Sequence, residues 1–240
     1  MSEDHRPKSL SQDGFEIHRG VFSANEIEML KVETDRVAEE HGSACVRNLN
    51  SRSELFRELA NSRKLADLFP MESILTVRSL LFDKTAEENW PVAWHQDLTI
   101  CTKSKVECDG YGPWSVKDGI PHVQPPIELL NQMITMRIHL DPTDSNNGAL
   151  MVVPGSHLHG RLSQNEISEL SAANSFTCEC QPGDVLLMSP LVLHSSRRSV
   201  IPSKRRIIHF EYAPPTALHP LLNWHETASI PVGSHFQSTR

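Results

Sequence analysis

The chain has 240 residues, 38% hydrophobic and 22% charged, enough apolar material for a sizeable core and too much for wholesale disorder. Thirty acids against twenty-three Lys and Arg leave a formal charge of -7, which argues against nucleic acid as the main partner. The apolar stretches at 74–82 and 185–193 are broken by Arg78 and by Ser189-Pro190, well short of the roughly 18 to 20 residues of a membrane span, so no membrane partner is expected.

The first residues, Met1-Ser2-Glu3-Asp4-His5-Arg6, lack the apolar core of a signal peptide, and residues 1–12 read as a flexible tail. Ser23-Ala24-Asn25-Glu26 is a capping box that opens a helix reaching about His41, with Ile27, Leu30 and Val37 on its apolar stripe. A second helix is predicted from Ser53 to Leu68, stopped by Pro70. The texture then changes to short strands at Ile74–Asp83, Met133–Leu140, Ala149–Val153, Phe176–Cys180, Val185–Met188 and Arg206–Tyr212, separated by turn clusters such as 141–148. Between them, 98–130 carries four prolines and glycines Gly110, Gly112 and Gly119 with little periodicity, and is expected to be a lid held by Tyr111, Trp114 and Ile120. Helices first and strands later predict one α+β domain over 1–240, mainly β, with the helices packed on one side of antiparallel sheets.

Five cysteines, an odd number without a C-x-x-C pair, suit a reducing compartment, so a cytoplasmic location is expected. Cys178 and Cys180 alternate in a predicted strand and read as a core pair. Thirteen histidines stand out more, because histidine is the commonest metal ligand. On a strand, H-x-D or H-x-E turns two ligands to one side. The pattern is cheap, with about 1.6 matches expected by chance from thirteen histidines and thirty acids in 240 residues. Three occur: His95-Gln96-Asp97, His139-Leu140-Asp141 and His209-Phe210-Glu211. Asp141 precedes Pro142 and suits a turn cap. His209 and Glu211 sit inside a strand as ordinary interior residues. His95 directly precedes the long 98–130 segment. His157-Leu158-His159 lies in a loop and is not favoured as a ligand pair.

Trp94-His95-Gln96-Asp97, Asn147-Gly148-Ala149-Leu150, Val153-Pro154-Gly155-Ser156-His157, Pro182-Gly183-Asp184-Val185 and Leu193-His194-Ser195-Ser196 occur in one order that, with Arg205-Arg206, closely resembles the phytanoyl-CoA dioxygenase family of iron(II)/2-oxoglutarate oxygenases. The resemblance runs from Asp13-Gly14-Phe15 to Arg205-Arg206. It implies a double-stranded β-helix (jelly-roll, cupin-like) core with the N-terminal helices packed on one sheet. It also implies iron(II) held by His95, Asp97 and His194, the last at the end of a strand Leu191–His194. By the same resemblance Arg205, eleven residues after His194, pairs with the far carboxylate of 2-oxoglutarate, and Ser196 donates to it. Arg206 is the rival, but strand alternation turns Arg206, Ile208, Phe210 and Tyr212 toward the helices and Arg205 toward the pocket. Gln96, Leu80, Lys84 and Arg137 stand where relatives touch the cosubstrate. Arg137 replaces an aromatic residue there and needs an anionic partner: a cosubstrate or substrate acid, or a local Asp97 or Asp144.

Trp114, His122 and Gln124 are candidate substrate contacts in the lid. Arg198 belongs to a basic run, 197–206, that either is a solvated hairpin tip or attracts an anionic substrate. The implied reaction consumes 2-oxoglutarate and O2, releases succinate and CO2, and hydroxylates a small acid, amino acid or secondary metabolite. A carboxylate at position 97 favours hydroxylation over halogenation, which in related enzymes needs a small residue there. A non-oxidative jelly-roll metal-binding or regulatory protein is the alternative, and a zinc hydrolase on the same ligands is a third reading.

Overall fold

Two antiparallel sheets face each other across a cavity in the computed structural model, which describes residues 9–69, 74–85, 88–200 and 204–229. The larger sheet comprises β1 (Phe15–His18), β2 (Cys45–Arg47), β3 (Leu75–Lys84), β8 (Ile134–His139), β11 (Val185–Met188), β13 (Arg205–Ala213) and β14 (Ala228–Ser229). Its order is β1-β11-β8-β13-β3-β14, with β2 also paired to β3. The smaller sheet runs β10 (Phe176–Cys178), β9 (Leu150–Val152), β12 (His194–Ser196) and β4 (Val92–His95). This is the expected jelly roll with helices on one side.

Alternation along β13 separates the two uses of the large sheet. Ile208, Phe210 and Tyr212 enter the main core with Ile27, Leu30, Phe56 and Leu59 of the helical layer. Arg205, His209 and Glu211 point the other way, into the cavity. Each fully buried Leu or Phe of that core contributes about 1.5–3 kcal/mol, so the helices are held on the sheet by burial. The helix α2 (Ala24–His41) opens on the expected box: Ser23 Oγ accepts from the Glu26 backbone N–H, and the Glu26 carboxylate accepts from Ser23 N–H at 2.8 Å.

Several boundaries differ from expectation. Residues 1–8 lie outside the described residues, but Ser9 caps a short helix α1 (Leu10–Asp13), so part of the expected tail is ordered. Beyond a single turn α3 (Leu49–Arg52), the expected second helix is split into α4 (Glu54–Ala60) and α5 (Arg63–Ala66). Asn61 turns its amide back to the Arg57 carbonyl at 2.7 Å, and Ser62 caps the new start by accepting from Leu65 N–H. Pro70 lies outside the described residues. The strand expected at Leu191–His194 instead begins at His194. Cys180 lies past the end of β10 but, like Cys178, is buried.

The 98–130 segment, expected to have little regular structure, is ordered into strands and a helix. It builds a third sheet from β5 (Ile100–Cys101), β7 (Ile120–Val123) and β6 (Trp114–Lys117), followed by α6 (Ile127–Leu130). Its Ile100, Val123, Leu129 and Leu130 pack with Trp224 in a separate cluster, and none of its residues lines the cavity. A later helix, α7 (Gln164–Ala173), was not anticipated, although Ser163 and Glu166 form a second capping box at its start.

Candidate metal centre

Strands β12 and β4 place two histidines side by side. His194 pairs with His95 across the ladder, and a bulge before Ser196, which pairs with Val92, re-aims the edge so that Val92 and His95 both reach the cavity. The imidazole centroids are 4.2 Å apart. Asp97 follows just beyond β4, anchored by its backbone N–H on the Pro190 carbonyl at 2.9 Å. His95 Nε2 and His194 Nε2 lie 3.6 Å from Asp97 Oδ1 and Oδ2 respectively. Among the described residues, these three offer ligand atoms within 4.8 Å of one another.

The ring orientations decide what can sit between them. His95 Nδ1 faces the Ala93 carbonyl at 2.8 Å, and His194 Nδ1 faces the Val192 carbonyl at 2.8 Å. A carbonyl only accepts, so both Nδ1 atoms carry the proton and both Nε2 atoms present lone pairs toward Asp97. Burial, reinforced by His95 and opposed by Asp97, pushes the His194 imidazole down to about 4. Burial resists ionisation of Asp97, but His194 and then His95 hold its carboxyl well below the usual carboxylate range. Against the burial of the His95 ring, Asp97 favours its protonated form, but in their neutral forms both imidazoles turn lone pairs toward the carboxylate, a donor set suited to a divalent cation with open positions toward the cavity.

That cavity has a volume of about 220 Å³. At one end, Lys84, Arg137, Ser196 and Arg205 line it together with Leu80 and Trp90. Arg205 donates through Nη1 to the Gly148 carbonyl, while its buried Nε has no partner among the described residues. Gly148 stands at φ +77, and a Cβ there would meet the Arg197 carbonyl at 2.6 Å, so the turn that offers this acceptor requires glycine. Lys84 Nζ donates to the Trp90 carbonyl at 2.6 Å and to Ser196 Oγ at 3.4 Å. Burial, with Arg205 and Arg137 adding repulsion, pushes its ammonium down to about 7. Burial and Arg137 likewise lower Arg205 to about 10. Lys84 and Arg205 have no carboxylate partner among the described residues; Arg137 makes no direct ion pair there, although Asp97, one of its expected local acids, is close enough to act on it electrostatically. Three buried basic side chains without a directly paired carboxylate make this end of the cavity suited to an anion.

Arg206 faces the opposite way. It donates to Asp141 through Nη2 at 2.7 Å and Nε at 2.8 Å, and to Asp35 of α2 through Nη1 at 3.0 Å. Asp141 therefore belongs to this pair, and His139 Nδ1 bonds Thr143 Oγ1 at 3.0 Å, which removes the second H-x-D from contention.

Five residues expected at the site lie away from the cavity lining. Gln96 turns behind the site, where its amide nitrogen reaches the Gly160 and Leu191 carbonyls at 2.8 and 2.7 Å and its oxygen accepts from Leu162 N–H at 2.9 Å. Trp114 packs on the third sheet's cluster, and Gln124 pairs its backbone with Gly112 and Pro113. His122 is buried between Cys101 Sγ at 3.2 Å and the Ile120 carbonyl at 2.9 Å. Arg198 is exposed and lines no part of the cavity. Sequence reasoning instead missed Arg78, Phe82, Trp90, Val92, Leu150, His209 and Glu211, which line it. Arg78 and Phe82 share the face of Leu80 and Lys84, and His209 and Glu211 share that of Arg205, so period-two alternation carried on along both strands would have found them.

A sequence model of the phytanoyl-CoA dioxygenase (PhyH) family matches residues 10–207. Ectoine dioxygenase of Stutzerimonas stutzeri (strain A1501) is 23% identical over 244 residues, covering 85% of this chain and 74% of that protein. Its counterpart from Sphingopyxis alaskensis is 21% identical, covering 82% and 71%. Among solved structures, EctD from S. alaskensis with 2-oxoglutarate and 5-hydroxyectoine superposes with a TM-score of 0.67 at 21% identity, covering 89% of this chain and 79% of that one. HygX from Streptomyces hygroscopicus with iron bound gives 0.63 at 18% identity, covering 90% and 88%.

Proposed function

The chain belongs to the phytanoyl-CoA dioxygenase family, and from that premise we propose that it is an iron(II)- and 2-oxoglutarate-dependent dioxygenase that hydroxylates a small-molecule substrate with release of succinate and CO2. When bound, iron and 2-oxoglutarate supply the oxidising power, through reductive activation of O2 coupled to oxidative decarboxylation of the cosubstrate. The chain's own residues bind, orient and exclude water. His95, Asp97 and His194 hold the metal, with the Ala93 and Val192 carbonyls fixing the imidazole tautomers. Arg205 and Ser196 take the far carboxylate of 2-oxoglutarate, and Lys84 and Arg137 complete the cationic end. Leu80, Phe82 and Val92 supply apolar wall around the reacting region.

The observation that carries this reading is the pairing of two unlike demands in one cavity: a triad of ligand atoms that suits a cation and three buried basic side chains that suit an anion. A metal-binding or regulatory protein without a cosubstrate has no use for the second. Ectoine is the substrate named for the curated relatives, and at 21–23% identity it enters here as one compound for a screen. A small molecule, not nucleic acid, suits the net charge of -7, and five free thiols accord with a cytoplasmic location. No helix among the described residues is long and apolar enough to cross a membrane.

The test is succinate release from 2-oxoglutarate by the iron-loaded protein in air, without substrate and across a screen of small acids, amino acids and ectoine. Metal- and O2-dependent release that at least one compound stimulates is the expected result. Turnover of a compound without O2 would point to a hydrolase and contradict the reading.

A further inference from the structure

Arg78 and Glu211 form an ion pair, Nη1 to Oε1 at 2.9 Å, at the opposite end of the cavity from Arg205. On the β13–β3 ladder Arg205 faces Lys84 and Glu211 faces Arg78, six residues further on, which is about 20 Å of strand. Oε1 of Glu211 is shared, because His209 Nε2 also reaches it at 3.4 Å. The far side of that ring meets Arg137 Nη1 at 3.3 Å. A guanidinium only donates, so His209 Nδ1 accepts and Nε2 carries the proton given to Glu211. Arg137, His209, Glu211 and Arg78 thus form one hydrogen-bonded chain of fixed polarity along the cavity wall.

The chain leaves specific groups over. Glu211 Oε2 and the Nε and Nη2 of Arg78 have no hydrogen-bond partner among the described residues, although Glu211 is 4% exposed. These atoms are not among the sealed, unpartnered polar atoms of the described residues, so they are open to the cavity and to a ligand that replaces water on them. Both residues lie close enough to Asp97 to act on it electrostatically, which puts them on the metal side of the cavity.

We infer that Arg78 and Glu211 recognise the primary substrate as a small zwitterion, its carboxylate on Arg78 and its protonated nitrogen on Glu211 Oε2. The two side chains touch through Nη1 and Oε1 and both line the cavity, so their remaining donors and acceptor suit a carboxylate and an ammonium one carbon apart, as in an α-amino acid. The inference rests on the 2-oxoglutarate reading of the other end, because Arg205 and Lys84, committed to the cosubstrate, leave the Arg78 end to the substrate. Arg78 and Glu211 are specificity-determining residues in this account, and His209 is a positioning residue that holds Glu211.

The test uses the iron(II)-loaded protein with 2-oxoglutarate under anaerobic conditions. It is titrated calorimetrically with the twenty common L-amino acids, the carboxylic acids lacking their nitrogen, and the amines lacking their carboxylate. At least one amino acid should bind, with either deletion weakening it roughly tenfold or more, the scale of one charged hydrogen bond. Glu211→Gln should weaken the amino acid as much, yet weaken the nitrogen-free acid far less, since the interaction with the nitrogen is already missing there. The inference is overturned if no amino acid binds while the metal-to-cosubstrate charge-transfer band forms, or if the nitrogen-free acid or the amine binds as tightly as the parent. Amino-acid binding without that band would overturn the cosubstrate reading and leave this one standing; neither signal would overturn both. The wild-type comparison needs no variant, so a misfolded Glu211→Gln cannot obscure the outcome.

Discussion

Arg205 and Arg206 are adjacent on β13 and point to opposite faces: Arg206 is clamped on Asp141 at 2.7 and 2.8 Å beneath the helices, while Arg205 enters the cavity without an acidic partner among the described residues. One guanidinium is therefore a structural tie and the other is available to a ligand. Arg206→Ala leaves the Asp141 carboxylate buried and loses the tie to Asp35, at a cost of about 3–5 kcal/mol in chemical denaturation. Arg205→Ala removes a buried charge that nothing neutralises, so its stability cost is smaller, whereas 2-oxoglutarate affinity falls by tenfold or more. A reversal of these two phenotypes would exchange the roles assigned to the arginines.

The Lys84 ammonium, pushed down to about 7 by burial and then by Arg205 and Arg137, makes cosubstrate binding depend on pH. A bound carboxylate favours the charged form and raises that value, so binding above pH 7 takes up a proton and affinity falls as pH rises. Calorimetry at pH 8 in buffers of different ionisation enthalpy should show uptake approaching one proton, and Lys84→Met should abolish that part. Without the anion, the unfolded lysine keeps its proton up to its ordinary 10.5 while the folded one loses it near 7, so stability should rise with pH across that window. Proton release on binding would contradict the assignment.

Gly148→Ala tests the turn that feeds the anion site. The substitution meets a positive φ of +77 and a backbone oxygen at 2.6 Å, neither of which a side chain can relieve by rotating. The expected cost is about 1–3 kcal/mol, together with weaker 2-oxoglutarate binding because the carbonyl that holds Arg205 moves. Unchanged cosubstrate affinity in a destabilised protein would show that this carbonyl does not orient Arg205.

Metal should stabilise the fold, because the triad is assembled in the folded state and not in the unfolded one. At a free iron(II) concentration one hundred times the Kd, binding adds about 2.7 kcal/mol, readable as an upward shift of the melting temperature that a chelator reverses. Asp97→Ala should lose most of this shift. A shift of equal size in the variant would place the ion elsewhere.

Much of this was legible in the sequence, for identifiable reasons. Alternation on β13 separated Arg205 from Arg206, and the Ser23 box marked α2 to within a residue. The three H-x-[DE] matches could not be ranked by spacing; what sets His95 and Asp97 apart is that β12 brings His194 beside them, a pairing about one hundred residues distant in sequence. Gln96, Trp114, His122 and Gln124 failed as contacts because proximity to a motif says nothing about which way a side chain turns. Arg78 and Glu211 were within reach of the same alternation argument, but their pairing needs the β13–β3 register, which only the fold supplies. The regular structure within 98–130 was not legible because its glycines and prolines mark the turns of a small sheet as readily as those of an irregular loop.

The central claim, that one cavity joins a metal triad to a 2-oxoglutarate site, is tested most directly by anaerobic titration of the protein with iron(II) and 2-oxoglutarate while visible absorption is recorded. A charge-transfer band should appear only when both are present, vanish in Asp97→Ala, and require much higher 2-oxoglutarate in Arg205→Ala. No band in the wild-type protein, or an undiminished band in both variants, would contradict the account.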